Sequence, residues 1–254
     1  MKNKTKVFTY ENIHDTITAI PNLRDKAFFC TVYGCLARVG EVVWGRNQSK
    51  KDPTNPPLMK NDIEVKADRI TISLLTEKVR LMRKVTVSRT MEGIGVTPKT
   101  DPDWLAAPIV EYIDNLKDED YLFPFTVGWS ENKYRRVFLK TYFNQIFEGY
   151  AKEQPGLSRD YALLKEQAPK VYENISHELR LFRPNNTHIL RKARATHLLT
   201  GKVTGIPLPR QKVRRMGGWT TFSELDKVYD LSVNEDDDYL ITGEKQGIID
   251  EAVA

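Results

Sequence analysis

A chain of 254 residues, 40% hydrophobic and 29% charged, has enough apolar content for one large domain or two small ones and too much to be disordered. It contains no run of about 18 apolar residues, which excludes a transmembrane helix. The basic start Met-Lys-Asn-Lys-Thr-Lys runs into a polar stretch where a secretory signal needs an apolar one, so the cytoplasm is the expected compartment. The only cysteines, Cys30 and Cys35, share one apolar segment, and the four histidines form no Cys/His cluster. Neither a disulfide framework, a metal site nor a cofactor is expected.

The net charge of +5 conceals an asymmetry. From Asp230 onward eight acidic residues and one lysine give −7, which leaves +12 on the preceding 229 residues. A body that basic suits a polyanionic partner.

In chain order, Arg24 to Trp44 carries apolar residues at three- and four-residue spacing and reads as a buried helix or helix pair. A loop rich in proline and lysine comes next, marked by Pro53, Pro56 and Pro57. The β-branched runs Ile70 to Leu75 and Arg83 to Ser88 flank a charged turn and predict an antiparallel hairpin. Asp101 to Asn115 reads as an amphipathic helix. Ser130 is the expected N-cap of a helix from Glu131 to about Tyr150. Pro155-Gly156 interrupts the pattern, one helix is expected from Ser158 to Leu181, and Pro184 to Thr187 break and cap the chain ahead of His188. Short helices are predicted over Arg210 to Met216 and Thr221 to Leu231. The expected fold class is α+β, mostly helical, with one small antiparallel sheet.

The segment with most chemistry is His188-Ile-Leu-Arg191-Lys-Ala-Arg-Ala-Thr196-His197-Leu-Leu. Residues three apart share a helix face, so His188 and Arg191 can converge on one anion. The spacing alone is weak evidence, because His177-Glu-Leu-Arg180 repeats it. Context separates the two copies.

The string from His188 resembles the H-x-L-R-H-x-x-A-T-H-L-L box of the tyrosine recombinases, the phage integrase family. Further motifs lie in that family's order. Tyr33-Gly-Cys-Leu-Ala-Arg38-Val-Gly-Glu41 resembles its first arginine box, and Thr76-Glu-Lys78 with Arg83-Lys-Val85 its lysine-bearing hairpin. Tyr121-Leu-Phe-Pro resembles its L-F-P element, Met216-Gly-Gly-Trp219 its Gly-His/Trp box, and Lys227-Val-Tyr229 the segment of its nucleophile. The likeness runs over roughly residues 23 to 231. It departs from the family pattern at Lys192, where a second histidine is usual, and at Arg194, a position often apolar, which can instead meet DNA. Trp219 and Thr220 compete for the His/Trp position. The long stretches from Arg38 to Lys78 and from Leu122 to His188 suggest a divergent member of archaeal or viral type. The first box begins within 40 residues of Met1, so the family's N-terminal core-binding domain is not seen.

The resemblance implies a tyrosine recombinase catalytic domain, with the DNA breaking-rejoining fold, over residues 1–231, and an acidic tail over 232–254 that docks on a neighbouring protomer. It implies a site-specific DNA recombinase that cleaves and rejoins double-stranded DNA without a metal, as a homotetramer on DNA formed from monomers. Arg38 and Arg191 would hold the nonbridging oxygens through planar, charge-assisted contacts. His188 would assist proton transfer, Glu41 would orient Arg38, and Trp219 would pack against the phosphate. Lys78, favoured over Arg80, Arg83 and Lys84 by its distance from the strand start, would protonate the leaving 5′ oxygen. Tyr229 would be the nucleophile. A type IB topoisomerase or telomere resolvase with the same chemistry, and a catalytically silent DNA-binding accessory protein, are the alternatives left open.

Overall fold

The computed structural model describes residues 8–44, 57–76, 81–89, 103–182, 187–203 and 205–229, with backbone only at 181–182 and 226–229. Lys78, the proline-rich loop from 45 to 56 and the acidic tail lie outside the described residues.

The centre of the molecule is α2 (Leu23–Gly34), buried along nearly its whole length from Ala27 to Gly34. Asn22 caps its start by accepting from the Asp25 amide. Its aromatic side chains tie it to its neighbours: Phe28 meets Phe123 and Phe125, and Phe29 meets Phe138. A helix buried on all sides has no polar stripe, which accounts for the weak amphipathic signal in this stretch. Packed around it are α1 (Tyr10–Thr18), α3 (Ala107–Ile113) and α8 (His188–Leu199).

The predicted hairpin is the larger part of a three-stranded antiparallel sheet, β1 (Ile63–Val65), β2 (Arg69–Leu75) and β3 (Met82–Ser88), in spatial order β1-β2-β3. Ile70, Ile72 and Leu74 face inward from β2, opposite Val87, Val85 and Arg83 of β3. The position opposite Leu74, where an apolar residue fits the alternation, is therefore an arginine.

Several expected boundaries differ, among them that of the helix read over Asp101 to Asn115, where α3 covers Ala107–Ile113. The helix assigned to begin at Glu131 starts at Val127, as α4 (Val127–Lys133), because the Thr126 hydroxyl accepts from the Trp129 amide and forms the cap. Ser130 is a buried interior residue whose hydroxyl donates to the Thr126 carbonyl. One π-helical turn, Tyr134–Leu139, then leads into α5 (Lys140–Glu153). The single helix expected over 158–181 is two, α6 (Tyr161–Gln167) and α7 (Pro169–Phe182), broken at Ala168. The proline at the next position disfavours helical backbone there, and Ala168 sits at φ −142°.

Last in the chain come α9 (Arg210–Gly217) and α10 (Phe222–Tyr229), which pack with α8. Trp219, Val213, Leu225 and Leu198 form a second, smaller core with Leu36. Within Tyr121-Leu-Phe-Pro, Leu122 and Phe123 are fully buried, and the Leu122 amide donates to the Leu58 carbonyl.

Candidate active site

The site begins where α2 ends. Leu36 adopts a left-handed conformation at φ +53°, unusual for a branched side chain. Its own side chain is fully buried in the second core, and its carbonyl faces two guanidinium groups. The chain then enters a 3-10 turn, Val39–Glu41, with Arg38 at its N-cap. The expected pairing of Arg38 with Glu41 is present, but it arises from this turn and not from an α-helical face. The Arg38 amide donates to Glu41 Oε2 at 3.0 Å and its guanidinium to Oε1 at 3.1 Å.

Glu41 is almost wholly buried and holds a second cation. Arg83 Nη2 donates to Oε2 at 2.7 Å. A guanidinium on each oxygen offsets the cost that an isolated carboxylate would carry in the interior.

Two arginines bridge the same pair of loops. Arg191, fully buried, donates to the Leu36 carbonyl and, at 2.5 Å, to the Gly217 carbonyl. Arg83 donates to the Cys35 carbonyl at 3.1 Å, the Leu36 carbonyl at 3.4 Å and the Met216 carbonyl. Each guanidinium thus links residues 35–36 to residues 216–217. The Trp219 ring covers Arg191, with 4.3 Å from guanidinium carbon to ring centroid. Of the two competitors, Trp219 is therefore the one beside Arg191. Thr220 is exposed, with its amide and hydroxyl both donating to Glu224.

The two glycines of this loop are required by close approach. A Cβ on Gly217 would fall 1.9 Å from the Trp219 ring, and one on Gly218, at φ +65°, would fall 3.0 Å from the Arg83 side chain.

His188 lies at the outer end of the cluster. Surrounding protein, then the positive charges of Arg191, Lys192 and Arg38, hold its imidazole down to about 4, against a smaller opposing pull from Glu41. Burial, with Arg38 and Arg83 adding to it, brings Arg191 down to about 9. Hydrogen bonds connect Arg38 to Arg191 through Glu41, Arg83 and the shared Leu36 carbonyl, and His188 stands three residues before Arg191 on α8.

The remaining parts of the α8 motif are structural. His197 is buried, and its Nε2 donates to the Phe8 carbonyl at 2.8 Å, since a carbonyl can only accept. Its Nδ1 therefore accepts from the Tyr33 hydroxyl at 2.7 Å. Burial lowers His197 to about 3, so it is a neutral strut. Arg194 is likewise buried, its guanidinium 5.1 Å over the Tyr33 ring, and not on a DNA-facing surface as expected.

Lys78 lies outside the described residues. Tyr229 ends α10 and is described by its backbone alone. Arg83, which the sequence presents only as a competitor of Lys78, is a full member of the cluster. Its signal is parity: it shares the inward face of β3 with Val85 and Val87. Among the described residues no three His, Cys, Asp or Glu side chains come together as a metal site would require, and no helix is long and apolar enough to cross a membrane.

The sequence matches no protein-family model. No curated protein matches it either. Two solved structures are similar. One is the XerH site-specific recombinase bound to palindromic difH substrate, a post-cleavage complex, at 15% identity and TM-score 0.50, covering 97% of this chain and 55% of that one. The other is XerH bound to difH substrate, a pre-cleavage complex, at 12% identity and TM-score 0.47, covering 93% of this chain and 53% of that one. The chain thus spans about half the length of the recombinase chains it resembles. At this identity the likeness is one of fold, and the fold, mostly helical with a three-stranded antiparallel sheet, is that of a tyrosine recombinase catalytic domain.

Proposed function

We propose that the chain is a site-specific recombinase that cleaves and rejoins double-stranded DNA through a 3′-phosphotyrosyl intermediate. The observation that carries this reading is the connection of Arg38 to Arg191 through Glu41, Arg83 and the Leu36 carbonyl, with Trp219 over Arg191 and His188 three residues before it on α8.

The Tyr229 oxygen attacks phosphorus as the bond to the 5′ oxygen breaks. The phenolic proton passes to a base. His188, whose imidazole is pulled down by its surroundings and by Arg191, is the base in this reading. The departing 5′ oxygen takes a proton from the Lys78 ammonium. Arg38 and Arg191 offset the charge on the nonbridging oxygens as the pentacoordinate transition state forms. Rejoining runs the same transfers backward with a 5′-hydroxyl as nucleophile, so the phosphodiester energy is retained. Arg191 has no exposed surface without DNA. A phosphate reaches it only when the Trp219 ring or one of its two carbonyl partners gives way.

The test is a nicked suicide substrate carrying candidate sites. An adduct that survives denaturing electrophoresis and disappears in Tyr229→Phe is expected. No adduct on any duplex that the protein binds specifically would overturn the reading and favour a silent DNA-binding role. Joined sites as product, as against relaxed supercoils or hairpin ends, separate recombination from the topoisomerase and resolvase alternatives.

A further inference from the structure

We infer that Arg83 is the positioning residue of this site, a fixed crossbar that keeps the two loops in register while Arg191 exchanges its carbonyl partners for a phosphate. This role rests on the proposed recombinase chemistry and extends it to a residue outside the reacting groups.

Strand β3 carries an anomaly. Its inward positions are Arg83, Val85 and Val87, and opposite them on β2 stand Leu74, Ile72 and Ile70. A charged side chain on the inward face is expensive unless its donors find partners. Arg83 has four: the carbonyls of Cys35, Leu36 and Met216 and the carboxylate of Glu41. A planar fork of donors suits this job, and an ammonium does not.

Arg191 makes the matching bridge one residue further along, to the carbonyls of Leu36 and Gly217. Two guanidinium groups therefore do the same mechanical work, but they differ in what else they touch. Arg191 stacks on Trp219 and follows His188 by three residues on α8. Arg83 is tied to Glu41, which in turn holds Arg38. When a phosphate draws Arg191 away from Leu36 or Gly217, Arg83 still ties residues 35–36 to the Met216-Gly217-Gly218 loop by hydrogen bonds. The Gly218 position, whose Cβ would meet the Arg83 side chain at 3.0 Å, shows how closely the loop is fitted to it. Arg83 also stands near the start of the strand that leads out of the hairpin, five residues after Lys78.

The experiment uses the whole chain with 5-fluorotryptophan at its four tryptophans and the Trp219 resonance assigned by Trp219→Phe. Arg83→Lys keeps the charge and loses the fork. It is expected to shift or broaden the Trp219 signal without DNA. On the nicked substrate it should slow adduct formation by roughly a hundredfold, the scale of a small misplacement, with DNA affinity within about twofold of the parent. Val85→Ala, on the same face of β3 and matched in loss of Tm, should leave both the Trp219 signal and the adduct rate alone. An unchanged Trp219 signal in Arg83→Lys, or an equal slowing in Val85→Ala, would overturn the inference. If Arg83→Lys does not fold, the guanidinium signals of the parent protein decide. Separately resolved, slowly exchanging Nη groups at Arg83 with and without DNA support the crossbar, and merged signals on DNA refute it. The fluorine arm needs no catalysis, so a parent protein that forms no adduct would sink the proposed function while leaving Arg83 decided on its own.

Discussion

The Trp219 ring centroid lies 4.3 Å from the Arg191 guanidinium carbon, over the most buried cation of the site. That arrangement depends on the absence of a side chain two residues earlier.

Gly217→Ala should displace the ring. The added methyl would fall 1.9 Å from Trp219 Cζ3, far inside contact distance, and the loop must shift to admit it. Overpacking of this kind costs about 1–3 kcal/mol. Urea unfolding should show the loss, and Trp219 should become accessible to an aqueous quencher.

Glu41 separates two guanidinium groups, and its removal leaves both without a counterion. Glu41→Ala is expected to destabilise the fold by about 3 kcal/mol. The midpoint of chemical unfolding measures this. Adduct formation by any remaining folded protein should fall too, because Arg38 loses both its side-chain and its backbone contact to the same carboxylate.

Stability should drop on mild acidification. His197 is held at about 3 by burial, well below the ordinary histidine value of about 6.5. Between those values the unfolded chain binds more protons than the folded one, so the stabilisation is present at neutral pH and drains away as pH falls below about 6.5. The slope for one such group reaches about 1.4 kcal/mol per pH unit. Unfolding midpoints at pH 7, 6 and 5 check this, and His197→Gln should flatten the profile.

Leu36 offers a test of backbone strain. Leu36→Ala and Leu36→Gly remove the same buried side chain, but only glycine accepts φ +53° freely. Leu36→Gly should therefore be the more stable of the two by about 1 kcal/mol, although both fall below the parent. The reverse order in thermal melts would show that the turn relaxes.

The parts of this architecture legible in the sequence are those fixed by local spacing. His188 and Arg191 sit three apart on α8, and Arg38 and Glu41 three apart in a turn whose carboxylate returns to its own N-cap. The β2–β3 pairing comes from the alternation of Ile70, Ile72 and Leu74. The features that escape a sequence reading depend on partners far away in the chain. Arg194 looks like a surface cation until Tyr33, 161 positions earlier, supplies a ring beneath it. His197 is only one letter of a motif until Phe8 and Tyr33 fix both its nitrogens. Strand β1 has three residues, too few to show a period, and α1 carries Tyr10, Ile13 and Ile17 in an otherwise polar stretch.

The π-turn at Tyr134–Leu139 sets the angular phase of α5. A widened turn takes up one residue more than an α-helical turn, and each residue advances a regular helix by about 100°. Wound as an α-helix, the same residues would carry Tyr142 and Phe147 round and out of the core they occupy. The bulge thus works as a rotational spacer that absorbs a surplus residue. Deleting the exposed Arg135 should therefore be tolerated, because the turn can close to α-helical winding and keep α5 in phase, whereas deleting Asn144 should rotate Phe147 away from its partners.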